Sequence, residues 1–244
     1  MNGDRRLTII EHLEELRQRL IKSVIALAIT TIVSFSFTSW LFRLLLVPAG
    51  GIKPIFTEVP EMLSTYMKVS LLSGVILAMP ILVHQLVMFV APALTPQEKR
   101  YLYLLLPGAM LSFLAGVLFG YFVLLPPALN FLLTFGEDIA TPQIKIGNYV
   151  SVVTSLLFWI GLAFETPLVI FFLARLRVVT PAFLSKNRRY ALVGAFILGA
   201  IITPTFDPVN QTLVAVPLAV LYEISILLAK LAWRGHLQPV SARA

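Results

Sequence analysis

Six long apolar runs separated by short connections dominate this chain and leave little choice of environment. They lie at about Ile21–Phe42, Met67–Val90, Leu102–Phe131, Tyr149–Ala174, Tyr190–Thr203 and Thr212–Leu231. About 20 mostly apolar residues are enough to cross the hydrocarbon of a bilayer. Backbone groups there find no water, so each run is expected to be a helix. Charged residues make up 13% of the sequence, against about a quarter in a soluble domain. The expectation is an all-α integral membrane protein whose residues 1–244 form a single membrane domain. No connection is long enough to hold a soluble domain, and no internal repeat is visible. The tail after Trp233 is short and polar.

Basic residues set the orientation. With the N-terminus in the cytoplasm, 15 of the 19 lysines and arginines fall inside. Only Arg43, Lys53, Lys68 and Lys145 fall outside. Lys and Arg near span ends stay cytoplasmic, so six spans with both termini cytoplasmic are expected. That bias accounts for the net charge of +7, which is not a nucleic-acid footprint. Arg5–Arg6 and the first run are not expected to act as a cleaved signal. A charged amphipathic stretch separates them, and no small-residue cleavage site follows Phe42. The absence of cysteine excludes disulfides and thiolate catalysis.

Thr8 to Glu11 has the form of a capping box. A short amphipathic cytoplasmic helix starting there aligns Ile9, Leu13, Leu16 and Leu20 on one stripe. Glu11, Glu15, Arg19 and Lys22 then share the opposite face. Glu15 is either a solvated i,i+4 partner of Arg19 or a functional carboxylate. In the segment from Phe89 to Arg100, Pro92 stops one helix. Thr95, Pro96 and Glu98 cap the next. Glu98 is either that cap or an exposed carboxylate able to accept a guanidinium through two parallel hydrogen bonds.

Glu165 is the only charge between Lys145 and Arg175. An acid near a span centre costs on the order of 2.5–3.5 kcal/mol on insertion scales. Such a residue faces a polar cavity or another helix and marks a functional site by default. Pro167 frees a carbonyl one turn earlier, so a kink is expected here. The fifth run is short, about 21 Å of helix against about 30 Å of hydrocarbon, and calls for local thinning of the bilayer. Asp207 reads as a helix cap or turn residue. Glu223 is a second acid inside a span. His84 is expected to be packed and hydrogen-bonded, because no second histidine sits near it. No hydrolase, zinc or nucleotide-binding motif is present. Neither catalysis nor a metal or other cofactor is therefore expected.

These segments together resemble the TatC family, the polytopic core of the twin-arginine protein translocase. The matching pieces are His12 to Leu20, Phe89 to Arg100, Gly161 to Pro167, Asn187 to Tyr190, Thr203–Pro204 and Leu221 to Glu223. The resemblance implies a receptor and scaffold in the bacterial cytoplasmic membrane. It would bind the paired arginines of signal peptides on the cytoplasmic face. With single-span TatA- and TatB-type partners it would move folded proteins, driven by the proton-motive force. By the same resemblance, Glu15 and Glu98 meet the arginine pair, while Leu16, Arg17 and Phe89 shape that surface. Pro48 orders the first outside loop, and Glu165 is the polar residue of the bundle's concave face. Gln211 lies at a partner-helix contact near the short fifth span. Asp207 and Glu223 are structural or partner-contact positions. Membrane lipid and further copies of the chain complete the expected partners, and nucleic acid is not among them. The alternative is a proton-coupled small-solute transporter that uses Glu165 as its proton site.

Overall fold

The computed structural model describes residues 9–50, 54–139, 143–203 and 207–234. The side chains of residues 9, 93, 96–98, 100–102, 104, 105 and 234 lie outside that description. Ten α-helices account for most of it: α1 (Ile9–Phe35), α2 (Thr38–Leu46), α3 (Glu61–Val90), α4 (Pro96–Phe119), α5 (Leu125–Thr134), α6 (Ile146–Ala163), α7 (Thr166–Arg175), α8 (Pro181–Lys186), α9 (Arg188–Ile202) and α10 (Pro208–Arg234). Five stretches are long and apolar enough to cross a membrane: Ile10–Phe35, Glu61–Val90, Leu106–Thr134, Ile146–Arg175 and Pro208–Trp233. The remaining expected span, the fifth, corresponds to α9, with 15 residues.

Several boundaries differ from the sequence expectation. The separate amphipathic helix and the first span are one helix, because nothing between Ile9 and Phe35 is a proline or glycine that would stop it. The expected cap at Thr8 lies outside the described residues. Beyond Phe35 the first span breaks at a turn, where Phe37 N–H donates to the Ser34 carbonyl at 3.0 Å, and resumes as α2. The third span is interrupted by one π-helical turn, Gly120–Leu124. The fourth is two helices that part at Phe164–Glu165. The short helix α8 was not anticipated.

The chain folds as two compact units. In the first, residues 1–114 and 136–154, α1 packs along α3. Small and hydroxyl residues let these two helices approach closely, as membrane helix pairs do. A Cβ at Gly74 would lie 2.8 Å from the Thr31 Cα. The Thr30 hydroxyl donates to the Gly74 carbonyl at 2.9 Å, and at the start of α2 the Thr38 hydroxyl pairs with that of Ser70 in α3 at 2.6 Å. The connections that precede α3 and α6 in this unit are stitched together. Ile55 N–H donates to the Ile144 carbonyl at 2.9 Å, and Ile146 N–H donates to the Ile55 carbonyl at 2.8 Å. The Tyr149 hydroxyl reaches the Leu45 carbonyl at 2.6 Å.

In the second unit, residues 115–135 and 155–244, α10 packs against α7, α8 and α9. Ala174, Leu184, Ile226, Ala229 and Ala232 form its buried cluster at one end. The connection after α7 turns through Arg177, a non-glycine residue at φ 61°. Its guanidinium lies 6.0 Å over the Trp233 ring.

Candidate functional site

The N-terminal half of α1 carries the first set of expected residues. Glu15 accepts a hydrogen bond from Arg19 Nε at 2.9 Å, and its Oε1 also receives Arg19 Nη2. The i,i+4 pairing expected from spacing is therefore present. Leu16 and Arg17 are exposed, as are Leu13 and Leu20 of the apolar stripe. Phe89, near the end of α3, stacks on His12. Their ring centres lie 4.4 Å apart and their planes are 17° apart. One ring contact thus joins the two segments that hold the expected acidic residues. His12 belongs to the motif His12 to Leu20, and nothing in the sequence pattern signals this stack.

Glu98 lies in the first turn of α4, and its side chain is outside the described residues. Around it, Pro92 stands in a 3₁₀ turn, Ala91–Ala93. Lys99 N–H donates to the Thr95 carbonyl at 3.0 Å. Pro48 stands in a second 3₁₀ turn, Val47–Ala49, which ends on Gly50 at φ 66°. Only glycine adopts that conformation at little cost.

Glu61 was missed altogether. Its carboxylate accepts the Thr57 N–H at 2.7 Å and the Gly147 N–H at 2.9 Å. The apolar run within α3 starts at about Met67, so Glu61 precedes the span by six residues, about 9 Å of helix. The Thr57 and Gly147 amides hold the Glu61 carboxyl below the ordinary carboxylate range, against a smaller opposing cost of burial.

In the second unit Glu165 occupies the N-cap position of α7, with Pro167 just inside the helix. Val169 N–H donates to the Glu165 carbonyl at 2.9 Å. The helix break agrees with the kink that Pro167 predicts. One turn earlier, Gly161 meets Gly116. A Cβ on Gly116 would lie 2.9 Å from the Gly161 Cα. The Phe119 and Phe164 rings are 5.4 Å apart beside this crossing.

Asp207 caps α10, accepting the Asn210 N–H at 2.7 Å. Gln211 Nε2 donates to the Phe196 carbonyl at 3.0 Å, tying α10 to α9. With Leu192, Val193, Phe196, Ile197, Ala200 and Ile201 it lines an open apolar groove of about 530 Å³. Glu223 pairs with Arg188 at 2.9 Å. His84 is exposed rather than packed, contrary to expectation. Among the described residues no cluster of His, Cys, Asp or Glu could hold a metal ion.

The model of the family described as Sec-independent protein translocase protein (TatC) matches residues 11–217. The chain belongs to the TatC family. It is 42% identical over 229 residues to the Sec-independent protein translocase protein TatC of Carboxydothermus hydrogenoformans, covering 93% of this chain and 94% of that one. It is 43% identical over 234 residues to the TatC of Aquifex aeolicus, covering 93% and 97%. A solved structure described as the twin arginine translocase receptor TatC superposes with a TM-score of 0.83 at 43% identity. That match covers 92% of this chain and all of the solved one. Family membership gives the chain a place among protein translocase components of membranes, which is a transport role.

Proposed function

We propose that the chain is the signal-peptide receptor and scaffold of a twin-arginine translocase in a bacterial cytoplasmic membrane. Six spans, with α9 as the fifth, place both termini in the cytoplasm. Glu15 and Glu98 accept the two guanidinium groups of the signal peptide, and Leu16, Arg17 and Phe89 shape the surface around them. Two carboxylates on separate segments suit a dicationic ligand better than one, because each planar guanidinium can be held by paired hydrogen bonds. The observation that carries this reading is the His12–Phe89 stack, which joins the two segments from which those carboxylates arise. Gln211 and the apolar groove along α9 receive single-span TatA- and TatB-type helices. Pro48 orders the first outer loop, and Glu165 acts in transport driven by the proton-motive force. Further copies of the chain share the complex.

The test is capture of the detergent-solubilised protein on an immobilised signal peptide carrying Arg-Arg, with Lys-Lys as control. Capture by Arg-Arg alone, reduced at least about tenfold in the Glu15→Ala and Glu98→Ala variants, is expected, in line with about 1.5–3 kcal/mol for a hydrogen bond to a charged group. Undiminished capture of the double variant would overturn the assignment.

A further inference from the structure

The register of α9 against α10 shows at which end the short span falls short. Gln211 meets Phe196, and a Cβ on Gly199 would lie 2.9 Å from the Gln211 carbonyl oxygen. The Ile202 end of α9 is therefore level with the start of α10. At the other end Arg188, the first residue of α9, pairs with Glu223. From Ile224 to Arg234, about 16 Å of helix, α10 continues with no α9 beside it. If the hydrocarbon ends near Leu231, the Arg188–Glu223 pair lies about 12 Å inside it. Yet the two side chains are 53% and 51% exposed.

The strip below α9 is filled by the chain that leads into it. The Trp233 indole N–H donates to the Val179 carbonyl at 3.3 Å, and the Tyr222 hydroxyl donates to the Leu184 carbonyl at 2.9 Å. The segment thus climbs along α10 from its Trp233 end to the level of Tyr222. It exposes Val178 and Phe183 on the way and delivers Lys186, Arg188 and Arg189 at the top. Arg189 lies against Tyr190, its guanidinium carbon 4.8 Å from the ring centre and Nη2 3.0 Å from the phenol oxygen. Tyrosine is enriched at membrane–water interfaces, which fits an interface drawn in to this level.

Exposed guanidinium groups do not remain in hydrocarbon; lipid headgroups and water come to them by local thinning. We propose that Lys186, Arg189 and Tyr190 bind the phosphate of an anionic phospholipid drawn in toward α9. Charge complementarity selects the ligand. Residues 186–189 carry three basic side chains, and the acid that touches them, Glu223, is already paired with Arg188. Arg189 offers a planar donor fork suited to a phosphate, and the exposed apolar side chains of Val178 and Phe183 suit acyl chains. Assignment to the inner leaflet rests on the N-in topology proposed above, whereas the binding site does not.

The experiment is native mass spectrometry of the protein released from nanodiscs of equal phosphatidylglycerol and phosphatidylcholine, counting each retained lipid. The wild type is expected to retain phosphatidylglycerol in excess. Lys186→Gln/Arg189→Gln should reduce that excess at least about threefold, while Lys68→Gln, in the other compact unit, keeps it. Equal retention by the double variant and the wild type would overturn the proposal. So would loss of the bound lipid on adding inorganic phosphate, which would show a free-anion site instead. Signal-peptide capture by the same double variant should be unchanged, so failure here is separable from failure of the receptor assignment.

Discussion

Glu15 meets two demands with one carboxylate. At rest it holds Arg19, yet the proposed ligand brings guanidinium groups of its own. An exposed or half-buried i,i+4 pair is worth about 0.3–0.5 kcal/mol, so Arg19 is a weak competitor that a better-placed arginine displaces. Arg19→Gln should therefore raise Arg-Arg peptide affinity about twofold, as read by titration with a labelled peptide. A fall in affinity would mean that Arg19 supports the bound state. Glu61 makes a separate point about carboxylates. Its partner Gly147 lies far along the chain, and no local pattern announces such a pair. Its pKa is lowered in the folded protein. The contribution of this clamp is thus fully present above the ordinary carboxylate pKa and is lost as pH falls through the lowered one. Protection factors for amide exchange at Ile55 and Ile146 should be high at neutral pH and fall only in acid, whereas Glu61→Ala should lower them at neutral pH as well.

At the scale of helices, two glycines separate packing from propensity. Gly74 is filled by Thr31, including its backbone, whereas Gly194 has nothing within 4 Å of its missing Cβ. Gly74→Ala should cost about 1–3 kcal/mol through overpacking. Gly194→Ala should be neutral or stabilising by up to about 1 kcal/mol through helix propensity. Thermal unfolding of both variants in one detergent decides between them; similar melting temperatures would remove the close α1–α3 contact as a source of stability. The same division explains what the sequence made legible. Apolar runs and Pro167 act locally, so the long helices and the break before α7 could be read. The break at Ser36–Phe37 has no proline or glycine, and α8 is too short to show a period. Arg177 takes the left-handed position where glycine is the usual choice, a conformation set by the turn and by Trp233 rather than by its own preference. At the candidate site, Glu15 with Arg19 followed from spacing alone. The His12–Phe89 stack and the Arg188–Glu223 pair are long-range contacts, which periodicity cannot supply.

For the whole molecule, the division of labour between recognition and transport is the consequence most open to test. Glu15 and Phe89 belong to one compact unit and Glu165 to the other. Glu165 follows the glycine crossing of α4 and α6 and sits at a helix break, where its N–H turns back to the Leu162 carbonyl at 3.1 Å. Keeping an acid there costs on the order of 2.5–3.5 kcal/mol on insertion scales, so removing it should not harm insertion, and its role must appear elsewhere. Glu165→Ala is expected to bind Arg-Arg peptide within about twofold of the wild type while reducing export of a folded reporter at least about tenfold. Glu165→Gln, which keeps the shape and loses the charge, separates the two causes. If it exports like the wild type, polarity is sufficient; if it fails like Glu165→Ala, the ionisable group is needed, as coupling to a proton gradient requires. Peptide binding that fell as far in Glu165→Ala as in Glu98→Ala would show that the two units do not divide the work in this way. Recognition would then have to be assigned to residues of both.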